Sequence, residues 1–203
     1  MGYLVLFLFI VLFVTLPSLW VQRTMKKYST PSDRYPYSGK EFTKKLLAAL
    51  NLEQVDVETT EIGDHYDPQS KTVRLTSDKM ESNSLTAIVV AAHEVGHAHQ
   101  HSTSYLPFRL RTVLVKTMGP AQRFGALILM AAPIVTLITR LPGPGIIMLI
   151  GGFLTMGMST LVHLVTLPTE WNASFSRALP MLEEGNILKE GDDVFAREIL
   201  TAA

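Results

Sequence analysis

Cysteine is absent from the chain. That excludes a disulfide framework and every thiolate metal site, so any metal must be held by His, Asp or Glu. The absence fits any compartment. A surplus of either charge is also lacking, since 18 Lys and Arg balance 18 Asp and Glu. A neutral balance gives no footprint for nucleic acid, which is excluded from the expected partners. Other absences are local. Charge is missing from Gly2 to Val21 and from Phe124 to Thr139, and acid is missing from Leu106 to Arg123. Gly and Pro are missing from Ser84 to Val95.

What is present is unevenly spread. The 203 residues suit one domain by length, but the apolar ones crowd the N-terminus and positions 124–167. This is the pattern of a membrane protein with a modest polar region. Gly2–Val21 is long enough, as a helix, to cross a bilayer core. A cleaved signal peptide would bring a basic n-region and a small-x-small site; neither is evident, and Trp20 suits a membrane interface, so a retained anchor is expected. Arg23, Lys26 and Lys27 follow at once and put this end of the anchor in the cytoplasm.

Tyr28–Gly39 reads as a linker rich in turn residues, and Ser38-Gly39-Lys40-Glu41 as a capping box opening a short amphipathic helix to about Asn51. Val55–Ile62 and Lys71–Thr76 alternate and read as the two strands of a β-hairpin, with Asp64-His65-Tyr66 near its turn. Leu106–Arg123 carries Arg109, Arg111, Lys116 and Arg123 among apolar residues and reads as an interfacial segment entering the membrane from the cytoplasmic side. Phe124–Thr139, a turn at Arg140–Gly145, and Ile146–Leu167 form a transmembrane hairpin, which returns the chain to the side it left. Pro168 is expected to end or kink the second limb, and Asp192–Ala203 to be helical.

The chemistry is carried by His93-Glu94-Val95-Gly96-His97, an H-E-x-x-H motif. On a helix, capped near Ser82 or Ser84 and ending near His101, the imidazoles of His93 and His97 lie one turn apart on one face, where they can share one Zn²⁺. Glu94 faces elsewhere but can hold a water at the metal and take its proton. His101 is a turn too far to join them, and His99 and His101 read as surface or helix-end residues. A catalytic zinc takes three protein ligands, so one more is required. Glu170 is the favoured position, with Glu53, Glu58, Glu61, Glu183, Glu184 and Glu198 as other acids and His163 as a competitor or an outer partner. His65, Tyr66, Tyr105 and Arg177 are candidates for stabilising an oxyanion or contacting substrate.

Asp64-His65-Tyr66-Asp67-Pro68, Ala91–Ala98, Leu110-Arg111, Leu167–Ser174 and Gly191–Ala203 together resemble the bacterial neutral zinc metallopeptidases of the YugP type, nearly end to end and in order. The layout is also similar to HtpX-like membrane metallopeptidases, where a transmembrane hairpin separates H-E-x-x-H from a glutamate ligand. The resemblance implies a cytoplasm-facing membrane peptidase with Glu170 as third ligand. Two departures stand out: Asn172 occupies a position where the family usually has Asp, and family members usually continue beyond the point where this sequence ends. Asn172 can still accept or donate a hydrogen bond, without charge, which bears on an outer-sphere role.

The expected fold is α+β, mainly α: a membrane-anchored zincin-like region with a short β-hairpin, one N-terminal transmembrane helix and a transmembrane hairpin. The expected segments are an anchor at 1–22, the zincin-like region at 23–123, the hairpin at 124–167 and the third-ligand segment with C-terminal helices at 168–203. The expected function is zinc-dependent endopeptidase activity, with Zn²⁺ as cofactor, at the cytoplasmic membrane of a bacterium. Polypeptides near the membrane surface are the expected substrates, and the bilayer and a membrane-protein partner the expected companions. The alternative is a zinc-binding membrane adaptor that cleaves nothing; Glu94 argues against it, because a purely structural zinc has no use for a base. An intramembrane protease is weaker, because neither limb of the hairpin contains Asp.

Overall fold

Helix α4 (Leu85–Ser102) is the buried axis of the polar part of the chain. The computed structural model describes residues 2–203, apart from the side chains at 2–4, 8, 10, 14, 156, 158, 159 and 161. Ser84 caps α4 as the sequence predicts, its hydroxyl accepting from the Ala87 N–H. Every residue from Leu85 to Ala98 is buried, so α4 is hydrophobic all round and must be covered on all sides. Within one compact unit (Met1–Thr103 with Asn172–Ala203) α2 (Gly39–Ala49), α8 (Asp192–Ala202) and a π-helical segment (Asn172–Ala178) pack on it, and a small sheet lies alongside. The predicted capping box opens α2, with Ser38 and Glu41 bonding each other's backbone N–H. Short helices α3 (Ser77–Met80) and α7 (Leu179–Glu184) complete this unit, together with the long α1 (Gly2–Lys27).

The sheet corrects one expectation. It has three strands, β1 (Asp56–Thr60), β2 (His65–Asp67) and β3 (Thr72–Thr76), in the order β1-β3-β2. The two alternating runs do not form a hairpin with each other, because β1 pairs parallel to β3, with Val57 opposite Val73. The hairpin is β2–β3, closed where the Asp67 carboxylate accepts from the Gln69 N–H and the Ser70 hydroxyl. Gly63, at φ 105°, lets the chain swing past β3 before His65–Asp67 returns along its far edge. Alternation reports which face of a strand is buried, and both pairings satisfy it equally.

The second unit, Ser104–Trp171, is a helical hairpin of α5 (Leu106–Thr139) and α6 (Pro142–Trp171). The basic and apolar segments expected on either side of residue 124 are one continuous helix of 34 residues. The turn is shorter than the sequence indicated. Arg140 adopts the left-handed conformation, and Pro142 falls in the first turn of α6, where its missing N–H costs nothing. Thr155 crowds the site of a missing Cβ at Gly125, and Thr136 does the same at Gly145, so the two helices approach closely. Pro168 does not end α6, which runs on to Trp171 before the backbone widens into the π-helical turns. Among the described residues two stretches are long and apolar enough to cross a membrane, Val5–Lys27 and Leu106–Thr139. The expected second limb, Ile146–Leu167, falls partly on side chains outside the description.

Candidate metal centre

His93 and His97 occupy successive turns of α4, both about 95% buried. Their Nε2 atoms face each other at 3.2 Å, ring edge to ring face. Each Nδ1 is held from behind. His93 Nδ1 lies 3.0 Å from the Ser174 hydroxyl, and that hydroxyl donates to the Leu200 carbonyl, so it must accept from His93. His97 Nδ1 lies 3.0 Å from Gln100 Oε1. The Gln100 amide donates to Asn172 Oδ1, which also accepts from Arg177 Nε. Arg177 can only donate, which fixes which Asn172 atom is oxygen and hence which end of Gln100 faces His97. Each Nδ1 therefore carries a proton, which in the neutral imidazole makes each Nε2 the acceptor.

Two acceptor nitrogens aimed at one point fit a cation. Two nitrogens at about 2.0–2.1 Å in a tetrahedral shell would stand roughly 3.3 Å apart, close to the spacing here. The outer hydrogen bonds are of the kind that set the tautomer and raise the basicity of metal-binding histidines.

The π-helical segment supplies Ser174 behind His93 and Asn172 behind Gln100, which itself stands on α4. Its wider turn places Asn172, Ser174 and Arg177 against α4 together, and such turns recur at functional sites. Contact is close at Gly96, inside the motif: a Cβ there would stand 2.8 Å from the Ala173 carbonyl oxygen. Arg177 also reaches the Thr103 hydroxyl at 3.1 Å, tying the end of α4 to the same segment. Sequence reasoning assigned no role to Ser174 or Gln100. Ser174 stood in a quoted motif, and Gln100 sits three residues after His97 on the helix, which is the signal that would have found it.

The remaining candidates fall as follows. Glu94 is 94% buried on α4. Glu170 is in the last turn of α6, two residues before Asn172, with Arg111 Nη2 3.2 Å from its Oε1. Tyr66 is buried, and its hydroxyl meets His101 Nδ1 at 2.8 Å; burial, then the charge of Asp67, pushes the phenol up to about 12. Burial, then Lys71, lowers the pKa of His101. His65 stands beside Tyr66 on β2 but points to the other face of the sheet, donating from Nδ1 to the Gly63 carbonyl. Tyr105 is the residue at which α5 begins, and His163 is exposed on α6. His99 is half-buried, its pKa lowered by burial and then by Arg177.

No solved structure matches this chain. A curated relative, "Putative membrane protease YugP" of Bacillus subtilis (strain 168), is 31% identical over 205 residues, covering 98% of this chain and 87% of that protein. A family profile described as "Putative neutral zinc metallopeptidase" matches residues 3–203, which include both paired histidines and all their outer partners. By that match and that identity, the chain belongs to this family of zinc metallopeptidases.

Proposed function

We propose that the protein is a membrane-bound zinc endopeptidase in which His93, His97 and Glu170 hold one Zn²⁺ and Glu94 is the general base. The observation that carries the reading is the pair of Nε2 atoms 3.2 Å apart with both Nδ1 protons committed elsewhere. Glu170 is supported by chain continuity. Two residues after it Asn172 bonds Gln100, and a helix advances only about 1.5 Å per residue. His₂Glu is a standard ligand set for a catalytic zinc.

Zinc, when bound, supplies a Lewis acid for the scissile carbonyl and lowers the pKa of an attacking water. Glu94 accepts that water's proton as its oxygen adds to the carbonyl carbon, then passes the proton to the amide nitrogen as the C–N bond breaks. Strand β2 is an edge of its sheet and packs near α4, so an extended polypeptide can pair with it.

Membrane attachment is supported by the two long apolar helices and by the relative's printed name. In this reading α1 and the α5–α6 hairpin span the bacterial cytoplasmic membrane. Arg23, Lys26 and Lys27 then mark the cytoplasmic end of α1, and the zinc helix faces the cytoplasm. The bilayer is the first partner, polypeptides near its surface are the substrates, and a second membrane protein is an expected companion.

The test is zinc content and cleavage of an unfolded protein, in detergent, for wild type and four variants. Wild type should hold one zinc and cleave. His93→Ala, His97→Ala and Glu170→Ala should lose zinc. Glu94→Gln should keep zinc and lose cleavage by about 10²–10⁴-fold, the usual worth of a general base. An active Glu94→Gln enzyme overturns the mechanism, and tight zinc without cleavage in wild type would favour the adaptor.

A further inference from the structure

The α5–α6 hairpin carries one feature that catalysis as described leaves unused. Arg111, in the second turn of α5, puts Nη2 3.2 Å from Oε1 of Glu170, in the last turn of α6. Antiparallel register produces the meeting: the alignment that sets Gly125 against Thr155 and Gly145 against Thr136 sets Arg111 across from Glu170. Each side chain is about one-third exposed, so as a surface ion pair alone the contact would contribute little to stability.

We propose that Arg111 is a positioning residue for the third zinc ligand. The inference rests on the reading of Glu170 as a ligand. Arginine suits the task because it has no acceptor atom, keeps its charge at any working pH, and cannot itself compete for a metal. Its guanidinium engages Oε1 and so fixes the orientation of the carboxylate. It also holds a flexible side chain in one rotamer before the metal arrives. Lysine would keep the charge but lose the planar fork.

The experiment measures zinc affinity by competition with a chromogenic chelator, and the visible spectrum of the cobalt-substituted protein, on full-length chain in detergent. Arg111→Met keeps the aliphatic stem and should weaken zinc binding by about 10–100-fold, the usual cost of losing an outer-sphere partner. Its cobalt spectrum should shift as the carboxylate loses its fixed orientation. Arg111→Lys should recover part of the affinity. Arg109→Ala, an exposed position two residues before Arg111, should leave both readouts at wild type. Glu170→Ala combined with Arg111→Met should bind zinc no more weakly than Glu170→Ala alone, whereas a merely structural role would add its own loss. Glu170→Ala with wild-type affinity would overturn the ligand reading and this inference together. Loss of zinc in Glu170→Ala, with wild-type affinity and spectrum in Arg111→Met, would overturn this inference only. Should Arg111→Met fail to fold, Arg111→Lys decides: unchanged affinity and spectrum overturn the proposal, and a partial loss supports it.

Discussion

Ser174→Ala removes the hydroxyl standing between His93 Nδ1 and the Leu200 carbonyl, both inside the core. A buried donor that loses its acceptor costs about 1–3 kcal/mol, so the zinc-free protein should lose about that much stability and melt at a lower temperature. Zinc affinity, read by chelator competition, should fall about 10–100-fold, because His93 loses the partner that fixes its tautomer. Gln100→Leu should act on His97 in the same way, and unchanged affinity in both variants would remove the outer hydrogen bonds from the account. At this scale the sequence was legible where the chemistry is local. His93 and His97 are one helical turn apart whatever folds around them, and four residues of spacing say so. Ser174 and Leu200 are far from His93 along the chain, and nothing in the spacing ties a serine at 174 to a histidine at 93 until α8 and the π-helical segment pack on α4. His65 shows the opposite error. It adjoins Tyr66 in sequence, but on a strand that adjacency sends the two side chains to opposite faces.

Helix α8 is fastened to the N-terminal linker by a buried ion pair. Asp192, 99% buried, receives two hydrogen bonds from Arg34 at 2.6 and 2.7 Å and a third from the Tyr35 hydroxyl. Burial alone pushes the Asp192 carboxyl up, but the hydrogen bonds from Arg34 and Tyr35 outweigh it and hold the pKa below the ordinary carboxylate value. Burial, then the bond to Asp192, pushes the Tyr35 phenol up to about 12. A carboxyl whose pKa is lower folded than unfolded binds fewer protons in the native state, so it stabilises fully above the unfolded value of about 3.9. That contribution fades as pH falls through the lowered native value. Urea titrations of the zinc-free protein should therefore show a midpoint that drops as pH falls below about 4. In Asp192→Asn this part of the slope should vanish, from a starting stability about 3–5 kcal/mol lower if the pair behaves as other broken buried pairs do. A wild-type slope in that variant would assign the acid loss to other carboxylates. The elements themselves were legible where caps and periodicity speak, as at Ser38 for α2 and Ser84 for α4. They were not legible where partners are chosen in three dimensions. β1 takes β3 in parallel because the brief β2 occupies β3's other edge, and three residues are too few to announce a strand. Gly96→Ala should confirm how tightly one such partner sits. With the Ala173 carbonyl 2.8 Å from the new methyl, overpacking should cost about 1–3 kcal/mol and loosen zinc, read in the same melts and chelator titrations.

Across the whole molecule, apolar side chains on long helices face outward. Phe7, Phe13, Met130, Leu137, Ile147 and Phe153 are all exposed, which soluble proteins avoid on this scale and a bilayer rewards. A helix as long as α5 runs about 51 Å at 1.5 Å per residue, against a hydrocarbon core of about 30 Å. Its charge-free half, Phe124–Thr139, fits within that core, and the stretch with Arg109, Arg111, Lys116 and Arg123 extends beyond it. The topology proposed above would put Lys26, Lys27 and this basic stretch on the cytoplasmic side, with Arg140 and Leu141 turning on the far side. The lack of cysteine makes the arrangement directly testable, because a single introduced thiol is the only target for a maleimide. Leu141→Cys should react in intact cells with a reagent that cannot cross the membrane. Gln54→Cys, exposed on the unit that carries the zinc helix, should react only after the cells are opened. Labelling of both in intact cells, or the reverse pattern, would place the H-E-x-x-H helix outside the cytoplasm and change which polypeptides can reach it. Protection of both until lysis would remove the hairpin turn from the outer face and leave α1 as the membrane attachment.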